Sequence, residues 1–262
     1  MADAADQISR RKVFSQQTRL DVDKETSPFE LLALARRFTD NTSRRLSLAP
    51  ANGLDAELFA WDCRDIFYMY VRLVEVADLG ADVVDSAVVS IIATRELGSL
   101  PLDSNARDGS TAARVSRAIW GDLPFLVEAL DAALDSRSGK ARLKLVHFAA
   151  KLMVVGIHTE RMAPLMIRDL DAMEGELVPN AGSLLDVLTA AEIWVRTAAQ
   201  KTLTLAKRKI ADVDVRKWSA WKAALGAVDD GQRKGEVIEV AKRALFHMQQ
   251  SERFLAPEME TQ

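Results

Sequence analysis

The sequence predicts an all-α protein: a multi-helix bundle of eight or nine helices around a buried central helix. Three observations predict it. Apolar residues recur every three to four positions along most of the chain, and few segments alternate with period two. Capping residues and prolines stand where apolar runs begin, with glycines where they end. Finally, 48% of the residues are hydrophobic, with 12 Gly and 7 Pro in 262. That is too apolar for a disordered chain and too poor in Gly and Pro for a fibrous one.

Residues 1–25 are polar and mixed in charge, and read as a short helix or an N-terminal arm. At Thr26-Ser-Pro-Phe-Glu30, Ser27 can cap, Pro28 suits the first helical position and Glu30 can close a capping box. A helix follows into the low forties, before Pro50, Asn52 and Gly53. The next helix runs from Asp55 to about Asp78 and carries much of the aromatic content. Gly80 stops it. Asp82 or Ala81 opens a helix that ends at Gly98, and residues 99–112 form the clearest loop. After Trp120, Asp122 and Pro124 open a helix to about Leu134. The helix at 141–157 is apolar around most of its circumference, which marks it as the central one. Thr159 caps the following helix, which has Pro164 near its start and Pro179 beyond it. Ser183 and Asp186 open a long helix to about Lys209. Two more cover Val213–Leu225 and Lys234–Phe254. No composition shift and no repeat divides residues 26–255, so one helical domain is expected, with 256–262 as a tail.

Composition also restricts function. Lys and Arg total 35, Asp and Glu 38, so the formal charge of -3 gives no reason to expect nucleic acid as a partner. No run approaches the ~18 apolar residues that would span a bilayer, so no membrane association is expected. The opening MADAADQISRRKVF lacks the apolar core of a secretory signal. One cysteine, Cys63, cannot form an internal disulfide, which points to a reducing, cytoplasmic setting. It projects onto the apolar face of its helix and reads as an inert core thiol. There is no phosphate-binding glycine loop, no dinucleotide fingerprint and no Gly-x-Ser-x-Gly elbow. His147, His158 and His247 do not fall at metal-ligand spacing. No cofactor and no metal are therefore expected.

The informative residues are polar ones on apolar faces. At about 100° per residue, Leu58, Phe59, Cys63, Ile66, Phe67, Met69, Tyr70, Leu73 and Val74 cover half of the 55–78 helix. Asp62 falls inside that arc, with Asp65 and Arg72 at its margin near Trp61 and Tyr68. A carboxylate there is desolvated unless partnered. It is either a general acid or base facing a pocket, or half of a structural ion pair. Arg95 continues the stripe Val84, Val88, Ile91, and Asp169 interrupts the stripe Met162, Met166, Met173. Arg95 would neutralise Asp62 or Asp169, bind an anionic ligand, or extend to water. His147 lies at i−4 from Lys151 on the least apolar side of the central helix, as a proton-transfer group or a boundary histidine. Met153, Met162, Met166 and Met173 could line an apolar site or fill the core.

Several blocks, in order, resemble an uncharacterised all-helical family of filamentous fungi. Ile119 to Leu126, containing Trp120-Gly-Asp-Leu-Pro124, resembles its Trp-x-x-Leu-Pro box. Leu58-Phe-Ala-Trp61 is similar to its early Trp-containing helix. Leu145-Val-His-Phe-Ala-Ala-Lys-Leu152 and Ile167-Arg-Asp-Leu-Asp-Ala-Met-Glu174 are similar to two further blocks, and Ala190-Ala-Glu-Ile-Trp194 to the last. The first of these has His147 where the family usually has Asn or Ala. The resemblance spans roughly 55–225 and implies a fungal source and an all-helical fold. It implies no reaction and no catalytic residues.

Two functions follow as expectations. The first is a cofactor-independent isomerase, cyclase or lyase with an apolar small-molecule substrate, of the kind met in fungal secondary metabolism. Its catalytic groups would be Asp62, Asp169, Arg95 and His147, with Trp61, Asp65, Tyr70, Met166 and Trp120 contacting substrate. It requires an enclosed pocket with Asp62 on its wall. A variant has Asp62-x-x-Asp65 hold magnesium, as in helical terpene cyclases. The second is a non-catalytic interaction or scaffold module, exposing Trp218 and Trp221 on one face. The sequence is also compatible with a homodimer.

Overall fold

The computed structural model describes residues 2–48, 53–78, 80–98, 120–123, 125–173, 183–228 and 235–255. Among the described residues there are ten α-helices and no strand, so the fold is an all-α bundle with at least one helix more than its patterning announces. The chain forms two compact units, Met1–Ala133 and Leu134–Gln262. The division falls inside a helix, Leu126–Ser136, and not in a Gly- or Pro-rich linker. For that reason composition shows one domain where the contacts make two units.

The first unit contains α1 (Ala2–Lys24), α2 (Pro28–Leu48), α3 (Gly53–Val76) and α4 (Asp82–Glu96). Helix α3 is its hub, and α1, α2 and α4 all pack on it. The predicted arc is buried: Phe59, Cys63, Ile66, Phe67, Met69, Tyr70, Leu73 and Val74. Leu58 lies at its half-buried edge. Ser27 caps α2 through the Glu30 N–H (3.3 Å), but the Ser27 N–H is taken by Glu25, not by Glu30. Helix α4 closes at Gly98, whose φ of +77° suits glycine.

Helix α1 differs from the expected arm or short helix. It is 23 residues long and docked on α3. Of its apolar residues, Val22 is buried while Val13, Phe14 and Leu20 are exposed. A helix with so little apolar burial carries no amphipathic signature, because its inward face is polar.

Helix α5 (Leu126–Ser136) contains the point of division. The second unit continues with α6 (Gly139–Val154), α7 (Thr159–Asp171), α8 (Leu184–Arg208), α9 (Val215–Gly226) and α10 (Gly235–Leu255). Its hub is α8, on which α6, α7, α9 and α10 pack. Helix α6, the expected centre, is buried along Leu145, Val146, Phe148, Ala149, Ala150, Leu152 and Met153, but it lies against α8 as one of four. Thr159 is not the cap of α7. His158 holds that position in a left-handed conformation (φ 46°), and the Thr159 hydroxyl donates to the Met153 carbonyl. The loop at 99–112, Pro124 and Pro179 lie outside the described residues.

Ser183 and Asp186, expected to open this helix, form a capping box at the start of α8. The Asp186 N–H donates to Ser183 Oγ at 3.2 Å, and the Ser183 N–H to Asp186 Oδ2 at 3.1 Å. Because α8 is the hub, its N-terminus carries the whole unit. Ser183→Ala is expected to lower stability by about 1 kcal/mol, read as a lower urea midpoint at unchanged slope.

Candidate functional site

Helix α3 places Asp62 and Asp65 one turn apart, at 5% and 0% exposure. A stripe on α1 at i, i+4 and i+8 meets them: Arg11, Ser15 and Arg19. Arg11 donates to Asp62 Oδ1 through Nε (2.9 Å) and Nη2 (2.7 Å), and the same Nη2 donates to Asp65 Oδ2 at 2.7 Å. Ser15 Oγ and Arg19 Nε donate to Asp65 Oδ1 at 2.5 and 3.1 Å. From α2, Arg45 pairs with Asp62 Oδ2. Three of the four carboxylate oxygens accept hydrogen bonds and the fourth, Asp62 Oδ2, is held by the ion pair with Arg45 alone, so three guanidinium groups surround two carboxylates. The guanidinium planes also cover aromatic rings: Arg19 lies 5.0 Å over Tyr68, Arg45 5.3 Å over Phe59 and Arg11 5.2 Å over Phe14. Such stacking desolvates an arginine without leaving its face bare.

A second arrangement recurs three times in the other unit. Each time a carboxylate accepts from an indole N–H and also pairs with a cation. Asp169 on α7 takes Trp194 Nε1 of α8 at 2.8 Å and pairs with Arg142 of α6. Asp171 takes Trp221 Nε1 at 2.8 Å and Lys217 at 3.1 Å. Glu252 on α10 takes Trp218 Nε1 at 2.8 Å and Lys222 at 2.7 Å. Trp218 and Trp221 are therefore buried anchors of α9, at 1% and 0% exposure, and not the exposed face expected of an interaction module.

The other singled-out residues are dispersed. Arg95 is exposed in the last turn of α4, and it is Arg11 and Arg45 that neutralise Asp62, and Arg142 that neutralises Asp169. Tyr70, Trp120 and Met166 are buried core, and the Met166 sulfur accepts from the Thr202 hydroxyl at 3.0 Å. Trp61 is half-buried beneath Arg64, 5.5 Å from its ring, and Arg64 also lies 4.3 Å over Phe125. His147 is half-buried on α6. Asp62, Asp65, Trp61, Tyr70, Arg95 and Trp120 belong to the first unit; Asp169, His147 and Met166 belong to the second. Sequence reasoning missed Arg11, Arg19 and Arg45. The one available signal was the Arg-x-x-x-Ser-x-x-x-Arg stripe on a helix without an apolar face.

Two clefts are found among the described residues. One groove of about 570 Å³ runs between α1 and α2, lined by Phe14, Val22, Ala33, Leu34 and Phe38, with Asp21, Glu25, Glu30 and Arg37 among its polar residues. A cleft of about 560 Å³ lies between α8 and α10. Neither is lined by Asp62, Asp65 or Asp169. Among the described residues no group of three or more His, Cys, Asp or Glu is placed to hold a metal ion. Asp62 and Asp65, weighed above as a magnesium motif, face guanidinium groups that a cation would have to displace. No described helix is long and apolar enough to cross a membrane.

A family model described as "Protein of unknown function (DUF3632)" matches residues 67–242. The chain belongs to this family. The DUF3632 match begins within α3, past Asp62 and Asp65, and ends within α10. It covers the three indole–carboxylate pairs of the second unit except Glu252, and leaves α1 and α2 outside. No similar curated protein and no similar solved structure is found.

Removing one partner of a buried ion pair leaves the others uncompensated. Asp65→Asn, which strands Arg19 and leaves Arg11 with Asp62 alone, is expected to cost about 3–5 kcal/mol and to make α1 susceptible to limited proteolysis. Unchanged stability would show that the cluster does not hold α1.

Burial pushes the Cys63 thiol from 9.0 up to about 12, and the Tyr70 hydroxyl from 10.0 up to about 12. In the unfolded chain both ionise first. Their contribution to stability is therefore complete below pH 9 and is lost as pH rises toward 12. Denaturant midpoints are expected to fall across that window, with the fall beginning about one pH unit later in Cys63→Ala.

Proposed function

We propose that the chain is a helical protein-interaction module without catalysis. Its docking surface is the groove between α1 and α2, and its partner contributes an amphipathic, basic helix. The observation that carries this reading is the groove's combination of an apolar floor with an acidic end. Phe14, Leu34 and Phe38 lie along it, and Phe14 is exposed. Asp21, Glu25 and Glu30 gather where α1 passes into α2, with Arg37 on the lining and Lys24 paired with Asp21 at 3.2 Å. Hydrogen bonds from Gln17 and Lys24 hold the Asp21 carboxyl below its usual range, so this end stays anionic. Two helices with an unfilled apolar groove accept a third by ridge-and-groove packing. Opposite charge at one end sets its direction.

The enzyme reading needs Asp62 free beside a pocket. Its pairing with Arg11 and Arg45, and two clefts that Asp62 does not line, support it less well. The buried thiol of Cys63 is in keeping with a reducing, cytoplasmic setting.

The test is fluorescence anisotropy with two designed 18-residue peptides, one a Leu/Lys amphipathic helix and one its Leu/Glu counterpart. The basic helix is expected to bind in the micromolar range. Binding should weaken at least tenfold in Leu34→Glu, weaken several-fold in Glu30→Lys, and fall with added salt. Equal binding of the acidic peptide, or indifference to Leu34→Glu, would overturn the reading. So would size-exclusion showing a dimer that Leu34→Glu dissociates, since the groove would then belong to a second copy.

A further inference from the structure

The cleft between α8 and α10 is built differently from the groove on the first unit. Its apolar wall is Val154, Phe254 and Leu255, of which Val154 is 46% and Phe254 73% exposed. Among the described residues its charged lining is cationic: Arg196 and Lys201 line it, and no described Asp or Glu does. Arg196 spends part of its charge on Glu192, one turn back on α8, at 3.4 Å. Lys201 is half-buried and makes no hydrogen bond or ion pair among the described residues. Nearby, the lining hydroxyls of Thr204 and Ser251 donate to the carbonyls of their own helices and are satisfied. An ammonium with no counter-charge among the described residues, beside exposed aliphatic and aromatic surface, suits an anion that carries an apolar body.

We propose that this cleft is a binding site for a single-chain amphipathic anion. Lys201, assisted by Arg196, meets the head group, and the tail lies along Val154, Phe254 and Leu255. The volume of about 560 Å³ is in the range of small-molecule pockets and suits one medium-length chain. A carboxylate and a phosphate monoester both present anionic oxygens to an ammonium, the phosphate with the greater charge. The shared class is therefore a long-chain oxyanion, and the test separates the two. The site lies wholly within Leu134–Gln262, so it stands independently of the groove between α1 and α2.

Isothermal titration of the full chain with dodecanoate, dodecyl phosphate and dodecanol, all below their aggregation limits, tests the site. Dodecanoate is expected to bind one-to-one with a dissociation constant in the tens of micromolar, and dodecanol at least tenfold more weakly. A tighter dodecyl phosphate would assign the head group to the phosphate class; a tighter dodecanoate, to the carboxylate class. Lys201→Gln should weaken the preferred anion at least tenfold, and Lys201→Arg should restore it to within about threefold. Phe254 is 73% exposed, so Phe254→Ser leaves the fold intact. It is expected to weaken all three ligands together. Equal affinity for dodecanol, no response to Lys201→Gln in a variant of unchanged melting temperature, or no saturable binding would each overturn the proposal.

Discussion

The structure depends on the pairing of buried carboxylates with donors brought from other helices. Desolvating a carboxylate is costly, and attraction to a guanidinium repays the cost only when the geometry satisfies the remaining lone pairs. Asp65 meets that condition through Arg11, Arg19 and Ser15, all from α1. Asp169 meets it through a guanidinium and an indole N–H. In each case the carboxylate belongs to one helix and its donors to one or two others. The hydrogen bonds therefore define which helices adjoin and in what register, while apolar burial supplies most of the driving force.

The indole–carboxylate–cation arrangement shows how a helical protein accommodates tryptophan. A buried indole adds a large apolar area but leaves one N–H to satisfy. Trp194, Trp218 and Trp221 each solve this with a carboxylate on a neighbouring helix, and that carboxylate takes its charge balance from a cation. The second unit is thereby stitched from α6 to α10 by three contacts of one kind. Of their acidic members Asp169 reads as misplaced only while its partners are unknown.

This explains which parts of the structure were legible in the sequence. Helix class, the helix start at Ser183 and Asp186, and the buried arc of α3 follow from local pattern, and the structure has all three. The oddity of Asp62 and Asp169 was visible for the same reason, since it is a break in a local pattern. Their partners were not, because Arg11 and Asp62 are 51 positions apart and no periodicity links them. Helix α1 was underestimated because hydrophobic patterning detects helices that dock by their apolar side, and α1 docks by its polar one. The division between the units left no trace because it falls within α5, where the composition is that of any helix.

The inverted polarity of α1 has a consequence for how this sequence can drift. An apolar interface tolerates gradual exchange, since one aliphatic side chain substitutes for another at modest cost. The cluster around Asp62 and Asp65 has no such neighbours in sequence space. Loss of Asp62 strands Arg45, loss of Asp65 strands Arg19, and loss of Arg11 removes a shared donor from both acids. Substitutions at residues 11, 19, 45, 62 and 65 are therefore strongly epistatic, and each is tolerated only in company with another. Relatives in which α1 docks in the same way should change these positions together or not at all.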